Sequence, residues 1–142
     1  LIPFRDEQIQ IYTPLSYGSV EHAEKVIAFG NENFPGKFTP LTKFMKHDDY
    51  ISFLAKIDIA IFNHQRQQAM SNIVNLLGMG KKVFMRRDVT TWRALESIGA
   101  CLFDINNIEM SRIIIRDKIK NHLAISEYFY QKKLADQLSR IF

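Results

Sequence analysis

DIAIFNHQRQQAMSNIVNLLGMGKKVFM, residues 58–85, decides the fold class. Asp58-Ile59-Ala60-Ile61-Phe62 is a compact apolar run bounded by polar residues, the pattern of a strand buried on both faces of a parallel sheet. Met70, Ile73, Val74, Leu76 and Leu77 then recur at helical spacing. Gly78-Met79-Gly80-Lys81 closes that helix rather than opening one, which makes it a C-cap and not a phosphate-binding loop. Lys82-Val83-Phe84-Met85 reads as the next strand.

The same alternation extends in both directions. Upstream, QIQIYTPL (8–15) starts as alternating polar and apolar residues and stops at Pro14, as a strand running into a loop does. Ser19 is placed to cap a helix from Val20 to Phe34, whose inner face is expected to carry Val20, Ala23, Val26, Ile27 and Phe29. Pro35-Gly36 ends it, and a short strand follows at Lys37 to Leu41. His47-Asp48-Asp49 opens a helix with Tyr50, Ile51, Phe53, Leu54 and Ile57 turned inward. Downstream, Thr90 to Ile98 is a short helix closed by Gly99, with Trp92 and Leu95 in the core. Ala100 to Ile105 is a last strand. From Asn106 to Phe142 the chain reads as helical, in two helices with a break near Asn121 to Ser126, carrying Ile113, Ile114, Leu123, Tyr128, Phe129, Leu134, Leu138 and Ile141.

Five short strands alternating with helices define an α/β domain with a parallel sheet and right-handed crossovers. Residues 1–105 form the ligand-binding body, and residues 106–142 a helical segment packing on it. A chain of 142 residues with 46% hydrophobic residues is long and apolar enough for one core. It opens on Leu1 rather than Met and is read as a piece of a longer protein. The net charge of +4 is spread in pairs among acids, which argues against nucleic acid as a partner. The single cysteine, Cys101, has apolar neighbours and reads as a buried thiol in a reducing, cytoplasmic compartment.

Ligands of such sheets bind beyond the carboxyl ends of the strands, so the loops Thr13–Ser19, Thr42–Lys46, Asn63–Gln68, Arg86–Thr91 and Asp104–Asn107 are the places to look. Ser16, Tyr17, Gly18 and Ser19 offer backbone N–H groups and hydroxyls at a helix start, compatible with holding a phosphate or with a plain turn and N-cap. Arg66 supplies a forked cation, and Gln67, Gln68 and Asn72 neutral donors, a set that suits a diphosphate or a solvated first turn. His64 is a secondary candidate. Asp48-Asp49 and Glu21/Glu24 read as helix-start charges. Asp104 is open to chemistry or to capping, and Arg86-Arg87-Asp88 to an anion or to solvent. The four histidines are scattered singly, so no metal site is expected.

The residues Lys43-Phe44-Met45, Asp49-Tyr50, Asp58 to Phe62, Arg66-Gln67-Gln68, Gly80 to Val83 and Arg87-Asp88 to Trp92, with Pro14 to Gly18, resemble a known family. It is that of the TDP-N-acetylfucosamine:lipid II N-acetylfucosaminyltransferases, also called 4-alpha-L-fucosyltransferases. The resemblance runs from about Ile11 to Phe103, with a looser match over Tyr128 to Leu138.

It implies the C-terminal, donor-binding half of a GT-B fold, a Rossmann-like parallel sheet flanked by helices. The implied reaction moves N-acetylfucosamine, or a related deoxy-amino sugar, from a TDP-sugar to a lipid-linked saccharide. That step belongs to enterobacterial common antigen-like polysaccharide synthesis at the cytoplasmic face of the inner membrane, where the enzyme is peripheral. Ser16 to Ser19, Arg66 to Gln68 and Asn72 would hold the diphosphate, and Lys43, Phe44 and Met45 would lie beside the base. No cofactor or metal is implied. The acceptor site and the catalytic base would belong to an N-terminal domain outside this chain, leaving the chain alone inactive. The competing reading is a non-catalytic Rossmann-like or flavodoxin-like nucleotide or small-ligand module.

Overall fold

A computed structural model describes residues 1–129. The expected positions Leu134, Leu138 and Ile141 lie outside the described residues. The chain divides into two compact units, Leu1–His47 and Asp48–Phe142.

The first unit pairs two parallel strands, β1 (Ile11–Pro14) and β2 (Phe38–Leu41), in the register Ile11↔Phe38 to Pro14↔Leu41. Helix α1 (Val20–Asn33) connects them. Ser19 caps it as expected, its hydroxyl accepting from the His22 backbone N–H at 3.4 Å. Ala23, Val26 and Ile27 are half-buried, but Val20 and Phe29 are exposed, contrary to expectation. The residue of α1 that is fully buried is Gly30, against the Phe38 ring. Lys37 ties down the N-terminal segment by donating to the carbonyls of Arg5 and Glu7, both at 2.7 Å.

The second unit begins within α2 (His47–Ala55) and continues through β3 (Ile59–Phe62), α3 (Met70–Gly78), β4 (Lys82–Met85), α4 (Thr90–Ser97), β5 (Phe103–Asp104) and α5 (Ile115–Phe129). Its strands pair in parallel in the order β3-β4-β5. Parallel pairing and strand–helix alternation make this the expected Rossmann-like α/β class, but the five strands of the described residues form two small parallel sheets and not the one sheet expected. The strand buried along its whole length is the central β4. Strand β3, which the apolar run marked as buried on both faces, is half-buried because it is an edge of its ladder.

The core of this unit gathers Leu54, Ile73, Leu76, Leu77, Val83, Met85, Trp92 and Leu95 among others, so Trp92 is a core residue as expected. Helix α3 ends as a C-cap, with Gly80 at φ +68° and the Lys81 N–H returning to the Leu76 carbonyl at 2.9 Å; that left-handed backbone is what glycine adopts without strain.

The C-terminal part departs from the sequence reading. Strand β5 has only two residues, and Asp104 caps the 3-10 turn after it by accepting from the Asn106 N–H at 2.9 Å. Residues 108–114, with Ile113 and Ile114, are not helical, and α5 runs unbroken through Asn121–Ser126, where a break was expected. Leu123, Tyr128 and Phe129, expected on its apolar face, are exposed because α5 buries Asn121, Ala124 and Ile125 instead. Asn121 looked like a breaker because asparagine competes with the helix backbone. Here its side chain is fully buried and bonded to another segment. Cys101, expected to be buried, is half-buried.

Candidate functional site

The predicted residues fall in both units. Ser16 to Ser19 and Lys43 to Met45 belong to the first, and Arg66 to Gln68, Asn72 and His64 to the second.

In the first unit, parallel pairing of β1 and β2 puts the loops after them at one edge of the ladder. Tyr17 and Phe44, one from each loop, meet edge to face, ring centroids 5.8 Å apart and planes at 83°. Both rings remain largely in solvent. Ser16 and Met45 are half-buried, while Gly18, Ser19 and Lys43 are exposed. The Ser19 hydroxyl is engaged in capping α1. The aromatic pairing was missed in the sequence, although a signal was present. Pro14 and Leu41 are register partners, and Tyr17 and Phe44 each stand three positions beyond them.

In the second unit, Arg66, Gln67 and Gln68 are exposed and have no hydrogen-bond or ion-pair partner among the described residues. The loop ends at Ala69, which takes the left-handed conformation, φ 55° and ψ 27°, at the N-cap of α3. Alanine cannot cap, and no side chain accepts from the first turn of α3 there, so its N-terminal amides keep their donor capacity and the positive end of the helix dipole. Asn72, third residue of α3, is half-buried. An arginine, two glutamines and an uncapped helix start form an arrangement able to bind an oxyanion. Nothing in the sequence flagged Ala69, because a lone alanine carries no left-handed signal.

His64 packs its ring against Phe62 at 5.9 Å. Its Nδ1 is buried without a hydrogen-bond partner, an arrangement that is unfavourable by about 1–3 kcal/mol unless a group from outside satisfies it.

At the same end of β4, Arg86 is engaged. Its Nε and Nη2 donate to the two Asp88 oxygens at 2.9 and 2.6 Å, and Arg87 lies over the Trp92 ring at 5.2 Å. Hydrogen bonding from Arg86 holds the Asp88 carboxyl below its ordinary range, reinforced by the guanidinium charge against a partial desolvation. Glu21 pairs with Lys25 at 2.6 Å, and Asp48 and Asp49 lie in the first turn of α2, the helix-start roles expected of them. A cavity of about 600 Å³ is lined by Arg87, Trp92, Cys101 and Lys120 among others, and no residue of the Asn63–Asn72 segment takes part in it. Among the described residues no group of three or more His, Cys, Asp or Glu is placed to hold a metal ion, and no helix is long and apolar enough to cross a membrane.

The chain is thus a Rossmann-like α/β protein with an uncapped helix start after β3 and an aromatic pair, Tyr17 and Phe44, in the loops after β1 and β2. The sequence model of the 4-alpha-L-fucosyltransferase family, glycosyl transferase group 56, matches residues 3–137, and the chain belongs to that family. It is thus a glycosyltransferase of the fucosyltransferase type. No curated protein and no solved structure matches it.

Proposed function

We propose that this chain is the donor-binding half of a GT-B glycosyltransferase that moves N-acetylfucosamine, or a related deoxy-amino sugar, from a TDP-sugar to a lipid-linked saccharide. The observation that carries the donor-binding role is the start of α3, where uncapped amides, the left-handed Ala69 and the unpaired Arg66, Gln67 and Gln68 coincide. The family supports a nucleotide-sugar donor and a saccharide acceptor.

On this reading Arg66, Gln67, Gln68 and Asn72 hold the diphosphate, joined by Ser16 to Ser19, and Lys43, Phe44 and Met45 border the base. Transfer leaves a nucleoside diphosphate, whose growing charge the α3 amides and Arg66 stabilise; no metal or other cofactor is assigned. The acceptor site and catalytic base are assigned to a separate N-terminal domain, so the chain alone binds donor and does not turn over. The acceptor's lipid anchor places the enzyme peripherally at the cytoplasmic face of the inner membrane, in synthesis of a surface polysaccharide of the enterobacterial common antigen type.

Titration of the chain with thymidine diphosphate, followed by amide NMR shifts, tests the donor role. Shifts around Tyr17, Phe44 and Gln67 are expected, and Arg66→Ala weakens binding by about 1–3 kcal/mol, the range for a hydrogen bond to a charged group. Unchanged affinity in that variant removes the phosphate role from Arg66. No binding at millimolar ligand removes the thymidine diphosphate donor role from this chain.

A further inference from the structure

We infer that Tyr17 and Phe44 act as one aromatic unit that grips the nucleobase of a nucleoside diphosphate, which moves Tyr17 from the phosphates to the base. The inference rests on the donor-binding reading and deepens it.

Position comes first. The two residues stand at the same offset beyond register partners of a parallel ladder, so the backbone presents them side by side at the edge where such sheets take ligands. The geometry follows from this. An edge-to-face contact at 5.8 Å and 83° fixes each ring against the other and covers one face of one ring only. Tyr17 is 78% exposed and Phe44 74% exposed. Two rings that touch each other yet keep most of their surface in water are preorganised for a third flat partner.

The polar groups nearby leave room for this role. The Ser19 oxygen accepts from the His22 N–H as the α1 cap at 3.4 Å, which fixes that residue at the helix start and leaves only its O–H to donate. Gly18, at φ +98°, has nothing within 4 Å of where a Cβ would stand, so a ligand can approach the backbone beside Tyr17. Lys43, exposed next to Phe44, has no ion-pair partner among the described residues. What this loop pair offers is aromatic surface with the exposed cations Lys43 and Lys46 beside it, a set that suits a flat base carrying ring carbonyls.

The test compares thymidine diphosphate with inorganic pyrophosphate on the 142-residue chain and on its Tyr17→Ala, Tyr17→Phe and Phe44→Ala variants. Each alanine variant is expected to bind thymidine diphosphate about 5- to 150-fold more weakly, the loss associated with one aromatic–base stack, with pyrophosphate affinity unchanged. Tyr17→Phe keeps both affinities. In the unaltered chain, NOEs from the thymine H6 and methyl protons to the Tyr17 and Phe44 ring protons are expected; this readout does not depend on how any variant folds. An unchanged ratio of the two affinities in the alanine variants, or a parallel loss of both ligands, overturns the inference while leaving donor binding in place. Failure of the unaltered chain to bind either ligand overturns the donor-binding reading, and this inference with it.

Discussion

Asn121, in the middle of α5, closes both hydrogen bonds of the Cys101 backbone. Its Oδ1 accepts from the Cys101 N–H at 2.6 Å, and its Nδ2 donates to the Cys101 carbonyl at 3.1 Å. The side chain imitates a strand partner for the segment leading into β5, at a residue with no solvent exposure. Asn121→Ala leaves two backbone groups unsatisfied at about 1–3 kcal/mol each. We expect a loss of about 2–4 kcal/mol in urea unfolding, and a larger one for Asn121→Asp, whose carboxylate would face the Cys101 carbonyl oxygen.

Lys82 makes a comparable connection from within the sheet. It is 2% exposed, and its Nζ donates to the carbonyl and hydroxyl oxygens of Ser111, both at 3.0 Å, and to the Glu109 carbonyl at 3.3 Å. The ammonium also sits over the Phe84 and Phe103 rings at 5.1 and 4.9 Å. It thereby fastens the irregular approach to α5 onto the ladder. Lys82→Ala is expected to destabilise by about 2–4 kcal/mol, because the Ser111 and Glu109 carbonyls lose a charged donor and the buried stem leaves a cavity. Glu109, 3.4 Å away with a mostly exposed side chain, contributes little through its charge, and Glu109→Gln is expected to fall within about 1 kcal/mol. Equal losses in the two variants would show that the ion pair, and not the carbonyl contacts, holds the segment.

Lys82 and Asn121 also show where the sequence stops being legible. Periodicity located all five strands and the helices through α4, because apolar spacing is a local property. A buried lysine and a helix-interior asparagine carry no local sign of burial; their roles come from partners 27 to 29 and 20 residues away. The break expected near Asn121 rested on the residue's local preference, which its partner 20 residues away overrides. The strand carboxyl ends could be found from topology, and the loops Arg66 to Gln68 and Lys43 to Met45 with them. The edge-to-face meeting of Tyr17 with Phe44 depended on register, which single strands do not encode.

Gly30 faces a similar long-range constraint. A Cβ there would stand 2.6 Å from the Phe38 ring, closer than packing permits. Alanine at this helix position would otherwise gain about 1 kcal/mol in propensity. We expect Gly30→Ala to lose about 1–3 kcal/mol through overpacking. In a Phe38→Ala background the same change should become neutral or favourable. A double-mutant cycle by thermal unfolding checks the change of sign.

Two groups contribute to the pH dependence of stability in opposite directions. Asp88 has its folded pKa lowered, chiefly by the Arg86 hydrogen bonds, so its contribution is fully present above the ordinary carboxylate range and is lost as pH falls through the depressed folded value. Tyr50 has its pKa raised by burial. Its contribution is complete below about pH 10, the ordinary tyrosine value, and is lost as pH rises through the raised value. Asp88→Asn should therefore flatten the acid limb of a stability profile, and Tyr50→Phe the alkaline limb, each leaving the other unchanged.

Ala69 links backbone conformation to the proposed phosphate site. Its left-handed geometry at the start of α3 is disfavoured for an L-residue by about 1–2 kcal/mol, and a β-branched side chain tolerates it worse. Ala69→Gly relieves that strain but frees the unfolded chain, so its net stability change should stay within about 1 kcal/mol, with pyrophosphate affinity preserved. Ala69→Val is expected to destabilise by about 1–3 kcal/mol and to weaken pyrophosphate binding, because relaxing the backbone turns the first amides of α3 away from Arg66 and Gln67. Paired urea unfolding and NMR titration of the two variants separate these effects. If Ala69→Val loses stability but binds pyrophosphate as the unaltered chain does, the phosphate is held by side chains alone and the helix start plays no part.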